Sequence, residues 1–318
     1  MRIEFAESKL PRSGAVVVGV WEEGTLTPTA RRLDEATGGA LGRALAASPR
    51  FRGRKDDLLS VVAPPGLPVS RIVLAGLGKP AAAEARLLQD LGGALAAYLN
   101  GAGEREATVA IDLGEGAVLG EAEAAAELAF GARLRSYRFD KYKTREKPER
   151  KRSLARLTVA TPSPEAAERA FSPRDKAADA ICFARDLVSE PANVIYPETL
   201  AAQAESLGEF GVAVEILDEE KMRALGMNAL LAVAQGSARP PRLVVLQWHG
   251  AGKGEAPLAF IGKGVTFDTG GLSIKPAAGM EEMKWDMAGS AVVIGLMRLL
   301  AARKARVNAV GVAGLVEN

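Results

Sequence analysis

Cysteine and histidine each occur only once in this 318-residue chain, as Cys182 and His249. A single cysteine excludes a disulfide framework, so we expect a reducing, cytoplasmic location. A Cys-ligated zinc site is also excluded, and a His-rich zinc site or a Ser-His-Asp triad would have only His249, which we expect to be structural. A metal ion in this chain would therefore be held by oxygen ligands, with help from lysine or the backbone.

An excess of charge of one sign is also lacking. The chain has 41 lysines and arginines against 39 aspartates and glutamates, so its net charge is only +2. This balance argues against a nucleic acid or a membrane surface as the main partner. We also find no apolar run long enough to span a bilayer, and we expect no membrane association.

The segment 136–152 is the most basic part of the chain. Its lysines and arginines are interleaved with Tyr137, Phe139 and Tyr142, as in some nucleic-acid-binding surfaces. Asp140 and two glutamates dilute that charge. This composition favours a solvated connection over a nucleic-acid site.

Two α/β domains are predicted from the pattern of apolar segments. Strands such as Ala15–Val20 and Arg71–Leu77 alternate with Ala-rich helical stretches, which indicates a parallel sheet covered on both faces. A break is expected near Thr161–Pro164, which separates residues 1–165 from residues 166–318. The second part is predicted to contain the following elements: helices at Pro173–Val188, Met222–Leu231 and Met287–Ala302, and a strand at Ala256–Ile261.

The stretch Leu258–Gly289 contains charged residues that stability alone does not explain. Two lysines and two aspartates stand among glycines: Lys263, Asp268, Lys275 and Asp286. Burying such charges unpaired is costly, so they require partners or a metal ion. Carboxylates are hard donors that can bridge two divalent ions, and a lysine can join them as the neutral amine. We predict a metal-dependent active site, with Lys275 as the cation that faces the substrate.

Other interpretations of this stretch stay open from the residues alone. The charges could form surface salt bridges of little energetic value, although the glycines and apolar flanks argue against this. The run Gly262–Gly264 could hold a phosphate, but the spacing of a phosphate-binding loop is missing. The methionines at 280, 283 and 287 have the spacing of core residues, whereas Met283 could instead line a substrate pocket.

These residues resemble the leucyl aminopeptidase family, the hexameric cytosolic metallopeptidases with two metal ions. The resemblance is specific in the second domain and only architectural in the first. It rests on the following segments: Gly262–Lys275, Met283–Ser290, Ala184–Asn193 with Tyr196 and Pro197, and Val316–Asn318.

The resemblance implies both a fold and a set of residue roles. The fold is α/β, with a smaller, variable, macrodomain-like N-terminal domain and a larger catalytic domain containing a doubly covered mixed sheet. Asp268 would bridge two divalent ions, Mn²⁺ or Zn²⁺, with Lys263 and Asp286 serving the more loosely held ion. Lys275 would be the catalytic lysine and Met283 a substrate-binding residue. The implied reaction removes N-terminal residues, leucine and other apolar ones, from peptide substrates, in a homohexamer.

One motif of the family lies outside these 318 residues. In the family, Asn-Thr-Asp-Ala-Glu-Gly-Arg follows shortly after the Glu-Asn pair and supplies further acidic ligands and an arginine that holds bicarbonate. We therefore expect a catalytic domain incomplete at its C-terminus, with weak metal binding and little activity in this chain, and no replacement of the ligands by Glu317. The alternative is a non-catalytic DNA-binding or scaffold protein derived from the same fold, and nucleotide binding is a third interpretation.

Overall fold

A computed structural model of the chain describes residues 1–9, 11–80, 84–114, 118–252 and 254–318. The chain divides into two compact units, Met1–Asp175 and Lys176–Asn318. Their boundary lies inside the long helix Pro164–Ser189. It therefore falls further along the chain than the predicted break near residue 165, because Pro164 begins a helix and does not end a domain.

The first unit is built on one seven-stranded sheet. Its strands in chain order are β1 (Arg2–Ala6), β2 (Ala15–Trp21), β3 (Thr25–Leu26), β4 (Leu58–Val62), β5 (Arg71–Gly78), β6 (Glu106–Ala110) and β7 (Arg156–Ala160). The order across the sheet is β1-β7-β6-β2-β5-β4, and β3 pairs with the end of β2. The first five strands in this order are parallel to one another, as predicted. They are β1, β7, β6, β2 and β5. The prediction of a parallel sheet is wrong for β4, which is antiparallel to β5. The short strand β3, which the sequence analysis does not predict, is antiparallel to β2.

Helices cover both faces of this sheet, as the absence of alternation in its strands predicts. The helices are α1 (Pro28–Ala36), α2 (Ala40–Ala46), α3 (Ala85–Gly101) and α4 (Glu121–Arg135). Ala15 and Val17 pack with α3 and α4, whereas Val16 and Val18 pack into the apolar cluster that contains residues of α1 and α2. The helical stretch after β2 is broken in two at Gly38 and Gly39, whose φ angles of 61° and 81° no helix contains.

A buried ion pair links α4 to the long helix Pro164–Ser189, which is α5. Arg174 of α5 donates to Glu127 of α4 at 2.5 Å, and the side chain of Gln89 donates to the same carboxylate at 2.6 Å. Burial by itself raises the pKa of Glu127, but the hydrogen bonds from Arg174 and Gln89 outweigh burial and lower the pKa below 4.5. The pair therefore stabilises the fold fully above pH 4.5 and progressively less as the pH falls through the lower folded-state pKa.

We expect Arg174→Ala to lower the free energy of unfolding by about 2–3 kcal/mol near pH 7, because it leaves a buried carboxylate without its cation. Arg169→Ala is the matched control in the same helix. The side chains of Arg169 and its partner Glu165 are 74% and 89% exposed, so the control should cost less than about 0.5 kcal/mol. Urea unfolding at pH 7 and pH 3.5 measures both variants. Equal losses in the two variants at pH 7 would contradict the expectation.

The second unit contains a four-stranded mixed sheet, in agreement with the predicted fold class. Its strands are β8 (Ala213–Leu217), β9 (Arg242–His249), β10 (Leu258–Val265) and β11 (Asn308–Val316), and its further helices are α6 (Pro197–Glu205), α7 (Glu219–Ala224), α8 (Asn228–Ala234) and α9 (Ala288–Ala302). The order is β10-β11-β9-β8, with β10 and β11 parallel and the other pairs antiparallel. Residues of α6 and α9 pack on one face of the sheet, and α8 places Leu230 beside Gly314 on the other face.

Three predicted elements of the second part have different bounds in the structure. The helix predicted from Pro173 begins nearer the N-terminus and runs through that proline. The helix predicted at Met222–Leu231 is two helices, α7 and α8, because Gly226 between them has a φ of 71°. The strand predicted to end at Ile261 continues to Val265, so Lys263 lies inside β10 and not after it.

One helical segment within the described residues, Met280–Ala302, is long and apolar enough by length and composition to cross a membrane. The expectation that the chain contains no such segment was therefore too strict. In this fold 44% of the most apolar 18-residue window of the segment is buried, and α9 packs Val293, Ile294 and Met297 against the mixed sheet. These contacts are those of a core helix in a globular unit.

Candidate functional site

Two lysine–aspartate pairs lie at the end of β10 and the start of α9. Lys263 Nζ is 2.5 Å from Asp286 Oδ1, and Lys275 Nζ is 2.6 Å from Asp268 Oδ2. The four residues predicted from the sequence to carry chemistry therefore form two separate ion pairs. They belong to the second unit: Lys263 lies in β10, Asp268 and Lys275 lie in the loop that follows it, and Asp286 follows the 3₁₀ helix Met280–Trp285.

The Lys263–Asp286 pair exists because β10 lies very close to the start of α9. A Cβ at Gly262 would be 2.5 Å from the carbonyl oxygen of Gly289, so only glycine permits this approach. Asp286 lies two residues before the start of α9, and the approach places Lys263 within reach of its carboxylate. This packing brings together two side chains that are 23 positions apart in the chain.

Asp268 is held by hydrogen bonds on both of its oxygens. Oδ2 faces Lys275, whereas Oδ1 accepts from the backbone NH of Gly270 at 3.0 Å and from Nδ2 of Asn318 at 2.8 Å. The Lys275 ammonium, followed by Asn318 and Gly270, lowers the pKa of Asp268 to about 2 against a smaller opposing effect of burial. Asp268 is therefore an anion throughout the physiological pH range.

Lys275 connects the loop to the 3₁₀ helix Met280–Trp285. Its Nζ donates to the backbone carbonyl of Asp268 at 3.0 Å and contacts Sδ of Met283 at 3.3 Å. Within the same helix Lys284 donates to the carbonyl of Ser189, the last residue of α5, at 2.9 Å. Met283 thus lies against the predicted catalytic lysine, and its role in a substrate pocket stays a prediction.

The donor atoms suit a divalent cation in chemical type. Asp286 Oδ2 is buried and has no hydrogen-bond partner, which is costly unless another cation or ligand is present. Asp268 and Asp286 offer carboxylate oxygens, and Lys263 offers an amine once it loses its proton. The residues that the structure describes contain no group of three or more His, Cys, Asp or Glu side chains that could hold a metal ion. The described site therefore contributes two acidic ligands and one lysine.

Two contributors to this site were missed by the sequence analysis. Asn318, quoted there only as part of a motif, donates to Asp268, and Lys284 fixes the 3₁₀ helix to α5. Glu317, next to Asn318, is engaged elsewhere: its carboxylate accepts from Ser237 at 2.7 Å and lies 3.4 Å from Arg239. The residue types of Asn318, Lys284 and Glu317 did not by themselves indicate which of them would contact the site.

The basic segment 136–152 lies in the first unit and is mostly exposed. Arg138 pairs with Glu146, and Arg152 donates to the carbonyl of Tyr137 at 2.5 Å. The rings of Phe139 and Tyr142 contact each other edge to face, with centroids 5.8 Å apart. Some of the segment's charged groups and aromatic rings therefore contact other residues of the same segment.

Comparison with known proteins gives a consistent family match in both units. The catalytic-domain model of the cytosol aminopeptidase family matches residues 182–318, and the N-terminal-domain model of the same family matches residues 17–146. Probable cytosol aminopeptidases of Caulobacter vibrioides and Rhodopseudomonas palustris are 50% and 47% identical to the chain over 100% of its length. The chain spans 64% and 63% of the length of these two relatives.

Solved structures agree with this match. A mutant tomato leucine aminopeptidase superposes with a TM-score of 0.81 at 26% identity, covering 99% of this chain and 62% of that protein. The bottromycin maturation enzyme BotP in complex with Mn superposes with a TM-score of 0.75 at 28% identity, covering 96% of this chain and 59% of that protein.

Proposed function

Because the chain belongs to the cytosol aminopeptidase family, we propose that its protein removes N-terminal residues from peptides with the help of two divalent metal ions. The observation that carries the proposal is the pairing of Lys263 with Asp286, whose second oxygen is buried and unpartnered beside it. The Mn complex of the similar BotP structure adds support for a metal-dependent site.

The residues that would hold the ions are Asp268, Asp286 and Lys263. When bound, Mn²⁺ or Zn²⁺ supplies Lewis-acid polarisation of a carbonyl and activation of water. Lys263, whose side chain is 59% exposed, would serve as a ligand through its neutral amine. The low pKa of Asp268 already keeps that carboxylate ionised.

Lys275 has a different role from Lys263. Its Nζ is held by both the carboxylate and the carbonyl of Asp268, which gives the side chain a defined position. From there it would donate a hydrogen bond to the carbonyl oxygen of the scissile peptide bond as negative charge develops. Met283, which contacts Nζ, would line the space for an apolar N-terminal side chain such as leucine.

Further features implied by the resemblance belong to the same proposal. They are assembly as a homohexamer, bicarbonate as the base, and a cytoplasmic location. The alternative of a DNA-binding or scaffold protein has only the basic segment 136–152 in its favour, and there Glu146 is already bound to Arg138. We therefore favour the peptidase.

Metal dependence provides the direct test. The protein expressed from its complete gene should hydrolyse leucine p-nitroanilide when loaded with Mn²⁺ or Zn²⁺, lose measurable activity after dialysis against EDTA, and regain it when the metal is restored. The 318-residue chain, assayed beside it, tests the expectation of low turnover. Undiminished activity in EDTA, or no turnover by the metal-loaded protein, would contradict the proposal.

A further inference from the structure

Asn318 makes three hydrogen bonds to the segment around Asp268: one to each chain neighbour of Asp268 and one to its carboxylate. Its backbone NH donates to the carbonyl of Phe267 at 3.0 Å, and its carbonyl accepts from the NH of Thr269 at 2.7 Å. Its side-chain Nδ2 donates to Oδ1 of Asp268 at 2.8 Å. The two backbone bonds continue the parallel pairing of β10 and β11 beyond Val265 and place the amide directly beside the carboxylate.

The loop is shaped to accept this amide. A Cβ at Gly271, where φ is 60°, would lie 2.7 Å from Oδ1 of Asn318. Together with the NH of Gly270, the amide gives Oδ1 of Asp268 two hydrogen bonds and leaves Oδ2 facing Lys275. Two donors on one oxygen restrict rotation of the carboxylate about its χ2 bond. The orientation of Asp268 is thus fixed by a partner fifty residues away in the chain.

We propose that Asn318 is a positioning residue that orients the Asp268 carboxylate for a divalent cation. The inference rests on the proposed function, because it concerns the same site. Groups that hydrogen-bond a metal ligand hold it in its binding orientation, and their loss typically weakens metal affinity or activity about 10–100-fold. Asn318 acts through Asp268 and needs no contact with the ion or the peptide.

The test is Mn²⁺ binding, followed by electron paramagnetic resonance on the protein expressed from its complete gene. Asn318→Ala and Asn318→Leu both remove the donor, and the leucine variant keeps the approximate shape of the side chain. We expect both to raise the Kd for Mn²⁺ at least about tenfold. The signal of bound Mn²⁺ should also broaden, because the freed carboxylate samples more than one orientation.

Asn308→Ala is the matched control, since Asn308 begins β11 and Asn318 follows its end. Asn308 binds the backbone of Ala251, Gly252 and Glu255, far along the strand from Asp268. This variant should lower the melting temperature and leave the Kd for Mn²⁺ unchanged.

Wild-type Mn²⁺ affinity in both Asn318 variants would overturn the inference and leave the proposed function standing. An equal loss of affinity in Asn308→Ala would also overturn it, because the effect would then be general destabilisation. Failure of the wild-type protein to bind Mn²⁺ would overturn the proposed function together with this inference.

Discussion

Replacing Lys275 with alanine is expected to lower kcat for leucine p-nitroanilide by about 10²–10³-fold, the usual cost of removing one donor to a developing oxyanion. Lys275 is the cation held in place by Asp268, and its loss leaves the scissile carbonyl oxygen without that donor. KM should change much less, because the interaction strengthens only as charge develops. Steady-state kinetics of the Mn²⁺-loaded protein separate the two effects.

The same variant should also change how the site responds to acid. Lys275 is the main cause of the low pKa of Asp268, so its removal should raise that pKa from about 2 toward the ordinary value of 3.8. Protonation of Asp268 competes with metal binding, so Mn²⁺ should dissociate at a higher pH in Lys275→Ala than in the wild type.

Lys221→Ala serves as the charge-matched control for Lys275→Ala. Lys221 is an exposed lysine of α7, outside the two lysine–aspartate pairs. The Lys221→Ala variant changes the net charge of the protein by the same amount as Lys275→Ala. It should leave kcat and the pH at which Mn²⁺ dissociates unaltered. A kcat for Lys275→Ala within about twofold of this control would remove Lys275 from the proposed mechanism.

Replacing Gly92 with alanine should destabilise the first unit by about 3 kcal/mol or more. A Cβ at Gly92 of α3 would lie 2.0 Å from the carbonyl oxygen of Leu128 in α4, and a Cβ at Gly131 of α4 would lie 1.8 Å from the carbonyl of Gln89. The two helices thus touch backbone to backbone, and no side-chain rotation relieves the clash. The loss corresponds to roughly 6–12 °C in melting temperature for a unit of this size.

Gly101→Ala tests the same substitution in the same helix without the clash. Gly101 is the last residue of α3, and a Cβ there would meet no atom within 4 Å. Alanine should be neutral or stabilising by up to about 1 kcal/mol, because it restricts the unfolded chain and favours helix. Differential scanning calorimetry compares both variants. If Gly92→Ala melts within about 1 °C of Gly101→Ala, the close packing of α3 on α4 is not as described.

The residues of the candidate site could be selected from residue types, whereas its geometry could not, and its metal chemistry stays a prediction. Lysines and aspartates among glycines indicate a metal site because few other arrangements tolerate such charges near a core. The expectation that Lys263 follows its strand was wrong, since β10 extends to Val265 through two glycines that strand propensity disfavours. Pairing with β11 and packing on α9 overrode that local preference.

The sequence by itself determined the α/β class, the family resemblance of the second domain and the choice of four charged residues as candidates for the site, because apolar periodicity and residue chemistry are local properties. The tertiary structure alone decided that Lys263 meets Asp286 and that Asn318 meets Asp268, across 23 and 50 residues. It also decided that α3 and α4 approach at glycines. Contacts between distant segments depend on strand register and helix packing, which no short stretch of sequence encodes.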